Sequence, residues 1–282
     1  GDRVSIIAPS GALSSLDRIA KGIEIWRSRG YKIELCPGCD GAWGYLAGTD
    51  GDRRQQLAAA WHDRRSKAIV CTRGGYGTTR LLENWHWDNT VKPQWVIGFS
   101  DITGLLWSLY RHGIASLHAP VLTTLADEPE TSRDRLFDIL EGREIAPLQG
   151  MGWGGGTATG PLLPGNLTVA TALLGTCHQP DLQGAIVAFE DVGEAPYRLD
   201  RLLTQWRMSG ALAKVAGVAL GRFSDCEGNG FTAAEVLRDR LGDLNIPVVS
   251  DLPWGHDGEN AALPVGINAT IDGDRGTLSF RY

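Results

Sequence analysis

The chain has 282 residues, enough for one large or two ordinary domains, and at roughly 150 residues per domain two is the better reading. Its 43% hydrophobic and 21% charged residues are those of an ordinary globular protein, and a formal charge of -6 argues against a nucleic-acid binder, whose contact face would be basic. No apolar run approaches the roughly 18 residues needed to span a bilayer.

Gly1-Asp2-Arg3 leads straight into Val4-Ser5-Ile6-Ile7-Ala8 with no signal-like segment; the first residue is not Met, so a removed leader stays open. Val4 to Pro9 reads as a buried strand ended by Pro9, and Leu16 to Arg29 as a helix with Ile19, Ile23 and Ile25-Trp26 on its apolar face. Tyr31 to Leu35 is a second strand. The Cys36-Pro37-Gly38-Cys39 that follows has redox-pair spacing. It lacks the amphipathic helix of a redox motif and the second ligand pair of a zinc site, so it reads as a turn with reduced thiols, fitting a cytosolic protein. Asp50-Gly51-Asp52 opens a helix carried by Arg53 to His62, and Ala68-Ile69-Val70-Cys71 is a third strand. Short strands, apolar on both faces and separated by helices, predict a parallel sheet covered on two sides.

The third strand runs into Arg73-Gly74-Gly75-Tyr76-Gly77. The next, Trp95 to Gly98, runs into Phe99-Ser100-Asp101 and a helix to about Tyr110. In a parallel sheet ligands bind beyond the C-terminal strand ends, so both loops belong to one edge. Glycines there let backbone N–H groups approach a ligand, and a tight turn alone does not explain the flanking Arg73 and Tyr76. Ala115 to Pro120 is a further strand end, and residues 128–141 a helix with Leu136, Ile139 and Leu140 inward. Gln149 to Gly165 is rich in glycine and proline and reads as a domain boundary. Beyond it Asn166 to Leu174 and Tyr197 to Met208 read as helices. Gly184 to Phe189, ending at Glu190-Asp191, reads as a strand, as do Lys214 to Leu220 and Ile246 to Ser250. A hairpin closes the chain, with Asp272-Gly273 as its turn.

A serine at a strand-to-helix turn becomes a nucleophile only with a positioned base, usually histidine. Of six histidines, His62, His86, His112 and His178 fit helix, packing or turn positions, which leaves His118 at a strand end and His256 on the loop Trp254-Gly255-His256-Asp257-Gly258. The base needs an acid to fix its tautomer, and Glu190, ending a buried strand, is poorly explained by packing; Asp191 should point the other way. Gly98-Phe99-Ser100-Asp101-Ile102 lacks the second glycine of G-x-S-x-G. The local pattern by itself therefore favours Ser100 as an ordinary helix N-cap.

The order of motifs along the chain resembles the LD-carboxypeptidase family of serine peptidases, which includes the microcin C self-immunity peptidases. The resemblance rests on Ile7 to Ser10, Tyr45 to Asp50, Arg73 to Gly77, Ile97 to Thr103, Pro164 to Leu167, Phe189 to Glu194, Gly255-His256 and Leu263 to Gly266. It implies Ser100 as nucleophile, His256 as general base, Glu190 as its orienting acid, and an oxyanion hole from the N–H groups of Gly75 and Asp101. It also implies an α/β fold: a flavodoxin-like parallel-sheet N-terminal domain and a smaller β-rich mixed C-terminal domain, with the site where the two meet. With the boundary read above, these are residues 1–148, a linker 149–165, and 166–282. His118-Ala119-Pro120 stands where the family has His-Gly-Pro, and Phe99 replaces the commoner Tyr.

The expected activity is then release of the terminal D-alanine from murein tetrapeptides in peptidoglycan recycling, by a cytoplasmic homodimer without metal or cofactor and with no nucleic-acid or membrane partner. The substrate's carboxylate calls for a cation. Arg73 is a candidate, with Gly74 and Tyr76 beside it, although Arg73 reads equally well as a tie between domains. A related alternative is cleavage of an aminoacyl-nucleotide antibiotic, which needs an aromatic surface for the base. An alternative of another class is a non-enzymatic phosphate- or nucleotide-binding module, but no P-loop lysine follows the glycines and G-x-G-x-x-G is absent.

Overall fold

A computed structural model describes residues 1–88 and 94–280. The chain divides into two units, Gly1–Glu128 with Gly175–Pro180, and Pro129–Leu174 with Asp181–Tyr282. No helix among the described residues is long and apolar enough to cross a membrane.

The first unit is built on β1 (Arg3–Ile7), β2 (Lys32–Leu35), β3 (Ser66–Cys71), β4 (Trp95–Gly98) and β5 (Ser116–His118), in the spatial order β5-β4-β3-β1-β2 and parallel throughout. Val4, Ile6, Ile69, Val70, Val96 and Ile97 are wholly buried, as central strands with both faces covered require. The edge strand β2 instead exposes Lys32 and Glu34, charges that discourage further strand pairing. Helices α1 (Leu16–Ser28), α2 (Asp50–His62), α3 (Thr78–Leu82) and α4 (Thr103–Arg111) connect the strands. α1 turns Ile19, Ile23 and Trp26 inward. α2 starts on a reciprocal capping box in which Thr49 and Asp52 each accept the other's backbone N–H, so its first residue is fixed by local chemistry. The five-residue α3 is too short to leave a periodic signal.

The second unit holds α5 (Glu130–Leu140), α6 (Leu167–Leu173), α7 (Pro196–Met208) and α8 (Ala233–Leu241). Its strands are β6 (Leu148–Gln149), β7 (Met151–Gly152), β8 (Thr157–Asn166), β9 (Ile186–Val192), β10 (Gly217–Ser224), β11 (Val248–Ser250), β12 (Leu263–Val265), β13 (Asn268–Asp272) and β14 (Thr277–Phe280). Eight of them form one mixed sheet, ordered β6-β14-β13-β8-β9-β10-β11-β7. Its centre, β8 to β11, is parallel, and the flanking pairs are antiparallel.

Two sequence expectations change here, and one further helix leaves no signal in the sequence. Residues 149–165, expected as a linker, lie inside the second unit and contain β7 and most of β8, a central strand with Leu162 and Leu163 fully buried. Glycine and proline there serve close packing: Gly150 donates its N–H to Gly276, and a Cβ on it would lie 2.2 Å from the Ser250 carbonyl oxygen. The second unit is also not the smaller one, because Pro129–Leu174 belongs to it. Finally, α8 was not anticipated, since its buried Val236, Leu237 and Leu241 are sparse among charged residues.

Candidate active site

Ser100 lies one residue past β4, after Phe99, in a single 3-10 turn (Ser100–Ile102) that leads into α4. It is not the helix N-cap that its local sequence suggests: neither the 3-10 turn nor α4 has a side-chain cap, and Ser100 has φ +63°. A non-glycine residue in that left-handed region carries strain on the order of 1–3 kcal/mol, which concentrates at functional sites. Two glycines make the turn possible. A Cβ at Gly98 would lie 2.8 Å from Ile102 Cγ2, and one at Gly74 would lie 2.9 Å from Ser100 Cβ and 3.0 Å from its Oγ. Ile102 therefore fills the place of the missing second glycine of G-x-S-x-G by packing against the first, and the serine hydroxyl lies against the glycine loop after β3.

Asp101 holds this turn to its neighbours. Its buried Oδ2 accepts from Ser10 Oγ at 2.6 Å and from Thr78 N at 2.9 Å, while its carbonyl accepts from Thr78 Oγ1 at 2.5 Å. Burial pushes the Asp101 carboxyl above its ordinary pKa, against the pull of these hydrogen bonds. Gly75 has φ +113°, and Gly74 accepts from Gly11 N at 3.1 Å. The loops after β1, β3 and β4 thus meet at Ser100. Beneath them the fully buried Arg53 donates to the carbonyls of Pro9 (2.6 Å) and Gly77 (2.9 Å). Arg73 donates to the Ala12 carbonyl within the same unit, and Tyr76 packs edge-on against Tyr45 at 5.7 Å, both rings exposed. His118 is buried in the first unit, its ring edge-on to Phe99 at 6.0 Å.

In the second unit, His256 Nδ1 donates to Glu190 Oε2 at 2.6 Å. Glu190 is wholly buried in β9, and Asn166 Nδ2 also donates to its other oxygen at 3.3 Å. Asn166 Nδ2 reaches Asp191 Oδ1 at 2.9 Å as well, and its Oδ1 caps α6 at Val169 N. Asp191 points the other way, to the N–H (2.9 Å) and hydroxyl (2.8 Å) of Thr168. A bulge in β10 sets Gly221 and Arg222 opposite the single residue Glu190, and the Arg222 N–H bonds the Trp254 carbonyl at 2.8 Å, which fixes the loop two residues before His256. Burial raises Glu190 above the usual carboxyl range, and the His256 hydrogen bond opposes it. For His256, burial works against the charged ring, but the Glu190 hydrogen bond and the charges of Glu190, Asp191 and Asp257 outweigh it and leave the imidazole above its ordinary value.

The other histidines have local roles. His62 and His86 are exposed, and His112 closes α4 by bonding the Ser108 carbonyl at 2.8 Å. His178 lies between Ser108 Oγ (2.9 Å) and the Leu82 carbonyl (3.0 Å), and burial lowers its pKa. The thiols of Cys36 and Cys39 are free, and burial pushes Cys39 up to about 12. No group of three or more histidine, cysteine, aspartate or glutamate side chains suited to a metal occurs among the described residues. No sequence pattern marks Ser10, Thr78, Arg53 or Asn166 for these contacts, although Ser10 and Asn166 lie within the motifs Ile7 to Ser10 and Pro164 to Leu167.

The first unit thus carries a strained strand-to-helix serine, and the second a buried carboxylate hydrogen-bonded to an imidazole. Residues 4–119 match the LD-carboxypeptidase N-terminal domain, and residues 159–271 match the LD-carboxypeptidase C-terminal domain. A Synechocystis protein, a carboxypeptidase by name alone, is 58% identical over 99% of this chain and 94% of its own. The murein tetrapeptide carboxypeptidase of Pseudomonas aeruginosa is 32% identical over 97% of this chain and 94% of its own. The chain belongs to the LD-carboxypeptidase family. Among solved structures, the muramoyltetrapeptide carboxypeptidase of Oxalobacter formigenes aligns with a TM-score of 0.87 at 29% identity, covering 99% of this chain and 100% of that one. The microcin C7 self-immunity protein bound to aspartyl sulfamoyl adenosine aligns with a TM-score of 0.89 at 22% identity, over 100% of this chain and 96% of that one, a likeness of fold.

Proposed function

We propose that the protein is a serine LD-carboxypeptidase that releases the terminal D-alanine of murein tetrapeptides. Ser100 Oγ attacks the carbonyl carbon of the L,D-amide while His256 Nε2 takes its proton, with Nδ1 held by Glu190. The oxyanion receives the backbone N–H groups of Gly75 and Asp101, each such donor being worth about 3 kcal/mol in the transition state. His256 then gives its proton to the leaving D-alanine amine, and water hydrolyses the acyl-enzyme. The observation that carries this reading is the backbone of Ser100: φ +63° beside a glycine loop suits a nucleophile and leaves it useless as a helix cap. The buried Glu190–His256 pair supports it, since a carboxylate hydrogen-bonded to an imidazole in a core strand is expensive unless the histidine's charge is needed. That same backbone argues against a non-enzymatic phosphate-binding module. Free thiols fit the cytoplasm, and a homodimer is the family's expectation.

Ser100→Ala should lower D-alanine release from the tetrapeptide by on the order of 10⁶-fold with unchanged thermal unfolding. A fully active, folded variant would sink the mechanism. Assaying a processed aminoacyl-nucleotide antibiotic beside the tetrapeptide separates the immunity-type substrate from the murein one.

A further inference from the structure

Two buried side chains of the first unit, Arg53 and Asp101, hold the same two stretches of backbone. Arg53 Nη1 donates to the carbonyls of Pro9 at 2.6 Å and Gly77 at 2.9 Å. Asp101 Oδ2 accepts from the next residue of each stretch, the Ser10 hydroxyl at 2.6 Å and the Thr78 N–H at 2.9 Å. The peptide unit joining Gly77 to Thr78 is therefore gripped at both ends, its carbonyl by the guanidinium and its N–H by the carboxyl. Arg53 Nη2 also meets Asp50, which in turn holds Arg80 of α3 at 2.7 Å.

Gly75 sits in the frame these contacts make. The loops after β1 and β3 touch there: Gly11 N–H donates to the Gly74 carbonyl at 3.1 Å, and a Cβ on Gly75 would lie 3.4 Å from Gly11 Cα and 3.9 Å from Ser10 Oγ. A Cβ on the preceding Gly74 would lie 3.0 Å from Ser100 Oγ. Asp101 carries one oxyanion donor of the mechanism above on its own nitrogen, and its side chain reaches the loops that carry the other.

Stability explains the arrangement poorly. Arg53 is 0% and Asp101 2% exposed, and burial disfavours the charged form of each. Arg53 Nε has no hydrogen-bond partner among the described residues. Well-packed apolar residues in place of buried charged groups are often as stable or more so. What directed hydrogen bonds add is a fixed backbone, in a loop whose Gly75 (φ +113°) and Gly77 (φ +132°) would otherwise give it unusual freedom.

Accepting the peptidase reading above, we propose that Arg53 and Asp101 are positioning residues: together they set the spacing between the Gly75 and Asp101 N–H groups, and so fit the oxyanion hole to the transition state.

The test separates the transition state from the ground state. Asp101→Ala should lower kcat on the tetrapeptide by about 100-fold, the effect of one misplaced oxyanion donor, with little change in KM. Asp101→Asn keeps an acceptor in the same place and should recover most of that loss. Arg53→Met and Arg53→Lys should form a second such pair, and Ser10→Ala, which removes one arm, should lower kcat by about tenfold. A murein tripeptide ending in an aldehyde adds Ser100 Oγ to its carbonyl carbon and puts an oxygen in the hole. Its affinity should fall with kcat across the variants, while the tripeptide acid binds all of them as it binds the wild type. Unchanged kcat in folded Asp101→Ala or Ser10→Ala protein, or equal losses for aldehyde and acid, overturns the positioning role and leaves the peptidase reading standing. Unfolding of every variant, Asp101→Asn and Arg53→Lys included, overturns it in favour of a structural one. A wild type that does not cleave the tetrapeptide, yet prefers the aldehyde to the acid and loses that preference with Asp101→Ala, keeps the positioning role and overturns the murein substrate. Neither cleavage nor a preference for the aldehyde would overturn both.

Discussion

Glu190 and His256 set a pH dependence whose sign follows from their environment. In the proposed mechanism His256 is the general base and must be neutral, so kcat/KM should rise with pH as it loses its proton. Burial, the largest single effect, would favour the neutral ring, but the Glu190 hydrogen bond and the charges of Glu190, Asp191 and Asp257 together outweigh it and move the rise above the ordinary histidine value. Glu190→Gln removes the chief stabiliser of the imidazolium and keeps the burial. The acid limb should then shift to lower pH, while kcat falls by about 10⁴-fold because the tautomer is no longer fixed. A pH profile of D-alanine release by both proteins checks this, and an unmoved acid limb in the variant would mean that the limb belongs to another group. The sequence revealed these residues by their chemistry: an acidic side chain ending an apolar strand and a histidine between glycines are both badly explained by packing. It did not reveal Asn166 as the bridge between Glu190 and Asp191, because an asparagine before a helix is already accounted for as a cap.

Between β4 and α4 the chain reverses within a few residues, and that turn is where local sequence misled. A serine followed by a helical pattern resembles a cap, and the missing second glycine counted against a nucleophile turn. What the turn needs is space, which Gly98 leaves for Ile102 and Gly74 leaves for Ser100, and the second of these comes from a loop more than twenty residues away. Gly98→Ala should therefore crowd Ile102 and cost about 1–3 kcal/mol as an overpacked core site, with a larger fractional loss of activity because Ser100 shifts with the turn. Adding Ile102→Ala should restore part of both. Denaturant melts and kcat/KM of the single and double variants measure the coupling, and strict additivity of the two substitutions would show that Gly98 and Ile102 do not share one space.

Across the whole chain, strands and helices with a strong periodic signal were legible, but the role of a glycine-rich segment was not. Gly150 to Gly165 has the composition of a linker, yet Leu148–Gln149 pairs with β14 and Met151–Gly152 pairs with β11, so one short segment joins the two edges of the eight-stranded sheet. Closing a sheet in this way removes exposed edges, and it requires small residues where backbones cross closely. Glycine enrichment therefore arises from crowding as readily as from flexibility, and composition cannot tell the two apart. Their responses to added length differ. A true linker tolerates extra residues at little cost, because loop entropy grows slowly with length. In β8, Thr159 is in register with Thr270 of β13, and Leu162 and Leu163 are in register with Ile186 and Val187 of β9. Inserting Gly-Ser-Gly between Thr159 and Gly160 adds an odd number of residues. It must either break one of these pairings or turn the buried residues of β8 to the opposite face. A loss of roughly 4 kcal/mol is expected, which in a chain of this size lowers Tm by about 7 °C. The same insertion at the exposed Gly228 to Phe231 loop should leave Tm nearly unchanged and serves as the control. If the β8 insertion melts with the control, this segment is a connector after all and the sheet is closed without it.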